Sequence, residues 1–176
     1  MIVPMSSPAR TSDADVEVDH DLETRWLEPE EQRAWRSFIT GVTALFEKLD
    51  RELREEHDVS MAEYELMVRL SEAPCHALRM AELASSVSHS RSRTTHTISR
   101  MERDGIVARA ACPEDGRGVM AVLTDAGYQR LQEASHTHVN GVRRHLVDLA
   151  DPADFQALGR VFDLVKSSGT LPDYDT

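Results

Sequence analysis

Residues 90–124 read SRSRTTHTISRMERDGIVARAACPEDGRGVMAVLT, and a change of period inside this stretch decides the fold. Up to Asp104 the spacing is helical: projected at about 100° per residue, Thr94, Ile98 and Met101 fall on one side. Ser90 is placed to cap this helix and Gly105 to end it. After Gly105 the runs 106–112 and 119–123 are strand-like, and the segment between them, Pro113-Glu114-Asp115-Gly116-Arg117-Gly118, is dense in turn formers. The stretch predicts a helix followed at once by a β-hairpin with a charged tip.

On the N-terminal side, Ser60-Met61-Ala62-Glu63 forms a capping box. It opens a helix that carries Tyr64, Leu66, Met67 and Leu70 on one face and stops before Pro74. A short helix fits Met80-Ala81-Glu82-Leu83-Ala84. Three short helices at this spacing have helix-turn-helix proportions. Further out, Pro29-Glu30-Glu31 starts a longer helix. Trp35, Phe38, Ile39, Val42, Leu45, Phe46, Leu49 and Leu53 then recur at three- and four-residue steps, giving about 28 residues and ~40 Å to near His57. So long a helix in a chain of 176 residues exceeds what its own domain can cover, which points to an oligomer. On the C-terminal side, Thr124 caps a second long helix with a stripe of Tyr128, Leu131, Val142, Leu146 and Leu149. Asp151-Pro152-Ala153-Asp154 opens the last helix, with Phe155, Leu158, Val161, Phe162 and Val165 as its expected buried face.

The expected class is therefore mainly α (α+β): a winged helix-turn-helix flanked by long N- and C-terminal dimerisation helices. The expected divisions are a mobile acidic tail (1–24), an N-terminal dimerisation helix (25–58), the winged domain (59–123), C-terminal dimerisation helices (124–169) and a frayed end (170–176).

Composition narrows the function classes. With 40% hydrophobic and 29% charged residues the chain can build a core, and no apolar run approaches the ~20 residues of a membrane span. The first residues lack the basic start and apolar run of a secretory signal, and two cysteines make no disulfide scaffold, so reducing cytosol is the expected compartment. No Gly-x-Ser-x-Gly elbow, phosphate-cradling Gly loop or His-Glu-x-x-His is present, which argues against an enzyme. No cofactor is expected. The net charge of −11 is unevenly spread, for residues 88–109 carry five arginines against Glu102 and Asp104. A polyanion would meet that local patch.

The helix after Ser90 presents Ser92, Arg93, His96, Ser99, Arg100 and Arg103 opposite its apolar side. Arginine bridges guanine O6 and N7 or grips phosphate, and Ser and Thr reach either. These residue types suit a recognition helix in a major groove, although a basic face is often only a solvated one. The hairpin behind it favours the first reading. An Arg on a narrow ribbon, here Arg117, can enter a minor groove, with Asp115 placed to orient its guanidinium.

Three segments in order resemble the MarR (multiple antibiotic resistance regulator) family. They are Arg100-Met101-Glu102-Arg103-Asp104-Gly105-Ile106-Val107-Ala108-Arg109, then Pro113-Glu114-Asp115-Gly116-Arg117-Gly118, then Leu123-Thr124-Asp125-Ala126-Gly127. The family pattern is Arg-Leu-Glu-x-x-Gly-Leu-Val-x-Arg, a wing with Asp-x-Arg-Gly, and Leu-Thr-x-x-Gly. Leu78-Arg79-Met80-Ala81-Glu82-Leu83-Ala84 also looks like the family's third helix, and the likeness covers about residues 26–168. It implies an obligate homodimer with interlocked first and last helices, double-stranded DNA as partner through a pseudo-palindromic operator, and most often repression. Helix contacts carried over by position are Ser90, Ser92, Arg93, Thr95 and His96, with Arg117 on the wing. His96 stands where many relatives have Arg.

The resemblance also implies release from DNA by a small anionic aromatic effector. Trp35, Phe38, Tyr64 and Met67 are candidate cleft residues by placement, with plain core packing as the alternative for each. His138 and His145 share a helical face, but an i, i+7 pair puts the rings ~10 Å apart, too far for one zinc ion, and interfacial histidines are the expectation. Cys75 and Cys112 are expected to be buried and inert. The competing functional class is a dimeric sensor or protein-interaction module that keeps the fold without tight DNA binding, supported by the acidic whole.

Overall fold

The computed structural model describes residues 24–87, 90–112 and 118–168. The chain divides into two compact units, residues 1–36 and 37–176. Of the first, residues 24–36 are described. They comprise an exposed lead-in and the opening turns of α1 (Pro29–His57), where the Glu31 carboxylate accepts the Glu28 N–H at 2.9 Å. The expected tail of residues 1–24, apart from Thr24, and the frayed end of residues 170–176 lie outside the described residues.

In the second unit, α1 ends at Asp58, which takes a left-handed φ of 53° while Val59 N–H returns to the Leu53 carbonyl. That is a helix stop with Asp in the place usually given to Gly. Helix α2 (Met61–Glu72) opens on the expected capping box, with Ser60 and Glu63 satisfying one another's backbone N–H groups. A 3-10 turn at Pro74–His76 leads to β1 (Ala77–Arg79), then α3 (Met80–Ser85) and α4 (Arg91–Arg103). Ser90 caps α4 and Gly105 follows it at φ 73°. Strands β2 (Val107–Ala111) and β3 (Val119–Leu123) pair antiparallel with Val107 opposite Leu123, and α5 (Asp125–His145) and α6 (Pro152–Ser167) complete the chain.

Strand β1 is a correction to the two-stranded hairpin. It pairs antiparallel with β3, with Leu78 opposite Ala121, so the sheet has three strands in the order β1-β3-β2. Three residues are too few to show an alternating pattern, and only tertiary pairing makes them a strand.

The core sits where α2, α3, α4, the sheet and the ends of α1 and α5 meet. Leu53, Leu66, Met67, Leu70, Leu83, Ile98 and Ala121 have no exposed surface, and Met101 and Val107 almost none. Thr124 fastens two elements at one corner. Its hydroxyl donates to the Gly105 carbonyl at 2.7 Å and accepts the Gly127 N–H at 3.0 Å, capping α5 against the end of α4.

Two expectations about the C-terminal helices are corrected. The α5 stripe does not reach Leu149: the helix ends at His145, a 3-10 turn covers Val147–Leu149, and Leu149 is exposed. Nor does α6 bury a face in the single chain. Phe155, Val161, Phe162 and Val165 remain exposed, and Leu158 is only half-buried. The amphipathic pattern is real, but the described residues leave most of it uncovered. The same holds along much of α1, where only Leu49 and Leu53 are buried.

Candidate nucleic-acid interface

Helix α4 is held by its apolar side. Thr94, Thr97, Ile98 and Met101 are buried, and the two threonine hydroxyls donate back to the Ser90 and Arg93 carbonyls, so neither carries an unpaired polar group into the core. The opposite side is open. Ser90, Ser92, Arg93, Thr95, His96 and Arg100 are all exposed, so six of the eight expected contact residues lie open on this helix and its cap. Ser90 also accepts the Arg93 N–H, and the Thr95 hydroxyl donates to the Arg91 carbonyl. Arg117 and the orienting Asp115 lie outside the described residues.

Ser99 behaves differently. It is half-buried and accepts a hydrogen bond from Arg109 of β2 at 2.9 Å, while Arg109 also pairs with Glu102 at 3.4 Å. Its hydroxyl thus serves the joint between the helix and the base of the hairpin.

The open face of α4 borders a groove of about 950 Å³, closed on its other sides by Phe46, Asp50 and Arg54 of α1 and by Met61 at the start of α2. Two carboxylates tie these elements together. Asp50 accepts the Met61 backbone N–H at 2.7 Å and Arg54 Nε at 2.6 Å. Burial acts to raise its pKa, but these hydrogen bonds and the positive charges of Arg54 and Arg93 outweigh that and hold it below its ordinary value. Glu63 accepts Arg100 Nε at 2.8 Å through Oε1 and the Ser60 N–H and hydroxyl through Oε2. Burial again pulls upward as the largest single influence, and the bonds from Ser60 and Arg100 together hold the carboxyl low. The capping box was visible in sequence, but nothing there revealed a reach of 37 residues to Arg100.

The expected effector residues have the following surroundings. Met67 is fully buried in the core, and Tyr64 is buried with its hydroxyl donating to Ser135 at 3.3 Å. Phe38 packs its ring 5.5 Å from that of Phe162. Trp35 belongs to the first unit and is 54% exposed. The histidines also part company: His138 stacks on Tyr64 at 4.5 Å, whereas His145 bonds Glu52 at 2.7 Å. Cys112 is buried as expected, but Cys75 is exposed, because the turn after Pro74 lifts it out at a left-handed φ of 54°.

These features define a winged-helix fold with a basic helix face left open. Comparison with known proteins agrees. The family model described as MarR family matches residues 59–119. Sco3205, a MarR family transcriptional regulator from Streptomyces coelicolor solved in complex with DNA, is 39% identical with a TM-score of 0.79. The match covers 86% of this chain and 98% of that one. AbsC, another MarR family transcriptional regulator from the same organism, is 36% identical over 82% of this chain and 97% of its own, with a TM-score of 0.77. Wild-type MarR from E. coli shares the fold at 19% identity, 75% and 96% coverage and a TM-score of 0.64. No curated protein sequence matches the chain. The chain belongs to the MarR family of transcriptional regulators. Among the described residues no helix is long and apolar enough to cross a membrane.

Proposed function

We propose that the chain is a homodimeric, sequence-specific DNA-binding regulator that represses its targets and leaves DNA when a small anionic aromatic effector binds. One observation carries the DNA reading: Ser92, Arg93, His96 and Arg100 share the exposed face of a helix whose other face is locked into the core. A rigidly backed helix of this composition can read base edges and grip phosphate. The DNA-bound relative Sco3205 supports the same use of the fold. In this reading α4 is the recognition helix, and Arg117, oriented by Asp115, enters the adjacent minor groove. The operator is pseudo-palindromic, with half-sites about one helical turn apart.

The uncovered apolar residues of α6 support the homodimer, since Val161 is 56% and Leu164 70% exposed in the single chain. A second copy is the natural cover for such a face. For the effector, the groove beside α4 offers Phe46 and Met61 as apolar contacts and Arg54 and Arg93 as cations. Asp50 and Glu65 also line it, and Asp50 holds Arg54, which leaves Arg93 as the cation for an anionic group.

The test is an anisotropy titration of the purified protein against duplexes tiled from its own upstream DNA, with a scrambled duplex and a second salt concentration. Tight, salt-sensitive binding to one tile is expected. Equal weak binding to every tile would mean either an operator elsewhere or the interaction-module reading, for which the net charge of −11 speaks, and a genome-wide selection of bound fragments would choose between them.

A further inference from the structure

The ion pair between Glu63 and Arg100 has a construction that a surface pair lacks. The carboxylate is only 12% exposed, against 48% for Arg100. Both its oxygens are committed: Oε2 to the Ser60 N–H and hydroxyl at 2.8 and 2.6 Å, Oε1 to Arg100 Nε at 2.8 Å. Ser60 is itself buried at 3% exposure, so the acceptor is fixed from behind by the start of α2. A fixed, poorly hydrated carboxylate binding through Nε restricts the guanidinium plane of Arg100 and neutralises its charge locally. The charge of Glu63 also reaches Arg54, which is itself bonded to Asp50 at 2.6 Å.

We propose that Glu63 is a positioning and specificity-determining residue for DNA recognition: it holds Arg100 in one orientation and withholds its charge from mismatched phosphates. The inference rests on the DNA-binding reading above. Nonspecific binding draws on mobile cations that follow the backbone wherever it runs. An Arg already held by a carboxylate contributes little to that, and contributes fully only where an acceptor lies in line with its outer nitrogens. Glu63 therefore lowers affinity for random duplex more than affinity for a matched one.

The experiment compares wild type, Glu63→Gln, Arg100→Ala and the double variant on the tightest-binding tile and on its scrambled counterpart. Gln is accepted at this capping-box position, so E63Q keeps the start of α2 while removing the charge. The expected result is a gain of roughly fivefold on scrambled duplex with a smaller gain on the matched one, narrowing the specificity ratio. In the R100A background, E63Q is expected to leave that ratio unchanged. Equal tightening on both duplexes, or the same narrowing without Arg100, overturns the role of Glu63. A loss of folded protein lowers both affinities together and leaves the ratio at its wild-type value, which also counts against it. A wild type that fails to discriminate between the duplexes overturns the DNA-binding reading itself.

Discussion

At Gly127 the chain has no room for a methyl group. A Cβ there would overlap the Ile106 carbonyl oxygen and lie 2.7 Å from Leu123 Cδ1. Backbone cannot step aside as a side-chain tip can, so Gly127→Ala should destabilise by about 2 kcal/mol despite the better helix propensity of Ala, as measured by denaturant unfolding. The Leu-Thr-x-x-Gly pattern was legible in the sequence, but this reason for it appears only when α5 meets the end of α4. The open face of α4 carries a second prediction at this scale. Arg93→Ala or His96→Ala should change which duplexes are preferred, while Arg117→Ala should weaken binding to all of them alike, by fluorescence anisotropy. Ser99 marks the limit of helical projection. Its angle put it among the contacts, whereas its hydroxyl is taken by Arg109 across the joint to β2.

Helix starts were the most legible elements, because Ser60, Ser90, Thr124 and Asp151 each announce a cap and each makes one. Ends were harder. The break after His145 has neither Gly nor Pro to mark it, and the apolar spacing runs on past it to Leu149. Helix α6 shows what periodicity measures: the spacing of Phe155, Phe162 and Val165 gives an apolar face but not the partner that covers it. If that partner is a second copy, Val161→Glu with Phe162→Glu should yield monomers in analytical ultracentrifugation and reduce operator affinity by well over tenfold, since two half-sites would no longer be bound together. An unchanged dimer would locate the interface elsewhere.

Over the whole molecule, acid should loosen the structure in two stages. Desolvation lowers the pKa of His138 below its ordinary 6.5, and its Nδ1 is buried without a hydrogen-bond partner among the described residues. The folded chain therefore resists a proton that the unfolded chain accepts, so stability is full above about pH 6.5 and declines below it. Glu52, held low chiefly by its bond from His145, acts in the other range together with Asp50 and Glu63. Their contribution is present above ordinary carboxylate pKa values and is lost as pH falls through the lowered ones. Thermal midpoints across pH 4–8 should show both stages, and His138→Phe, which keeps a ring against Tyr64, should remove the upper one. The corner at Thr124 has a mechanical consequence at this scale. It bolts the end of α4 to a 21-residue rod, ~31 Å long. Pivoting that rod by about five degrees at its far end swings the bolted corner by roughly 3 Å, close to the rise of one base step. If two copies pair as proposed above, two such rods would act as the legs of a caliper, and a small tilt of either would change the distance between their bolted corners.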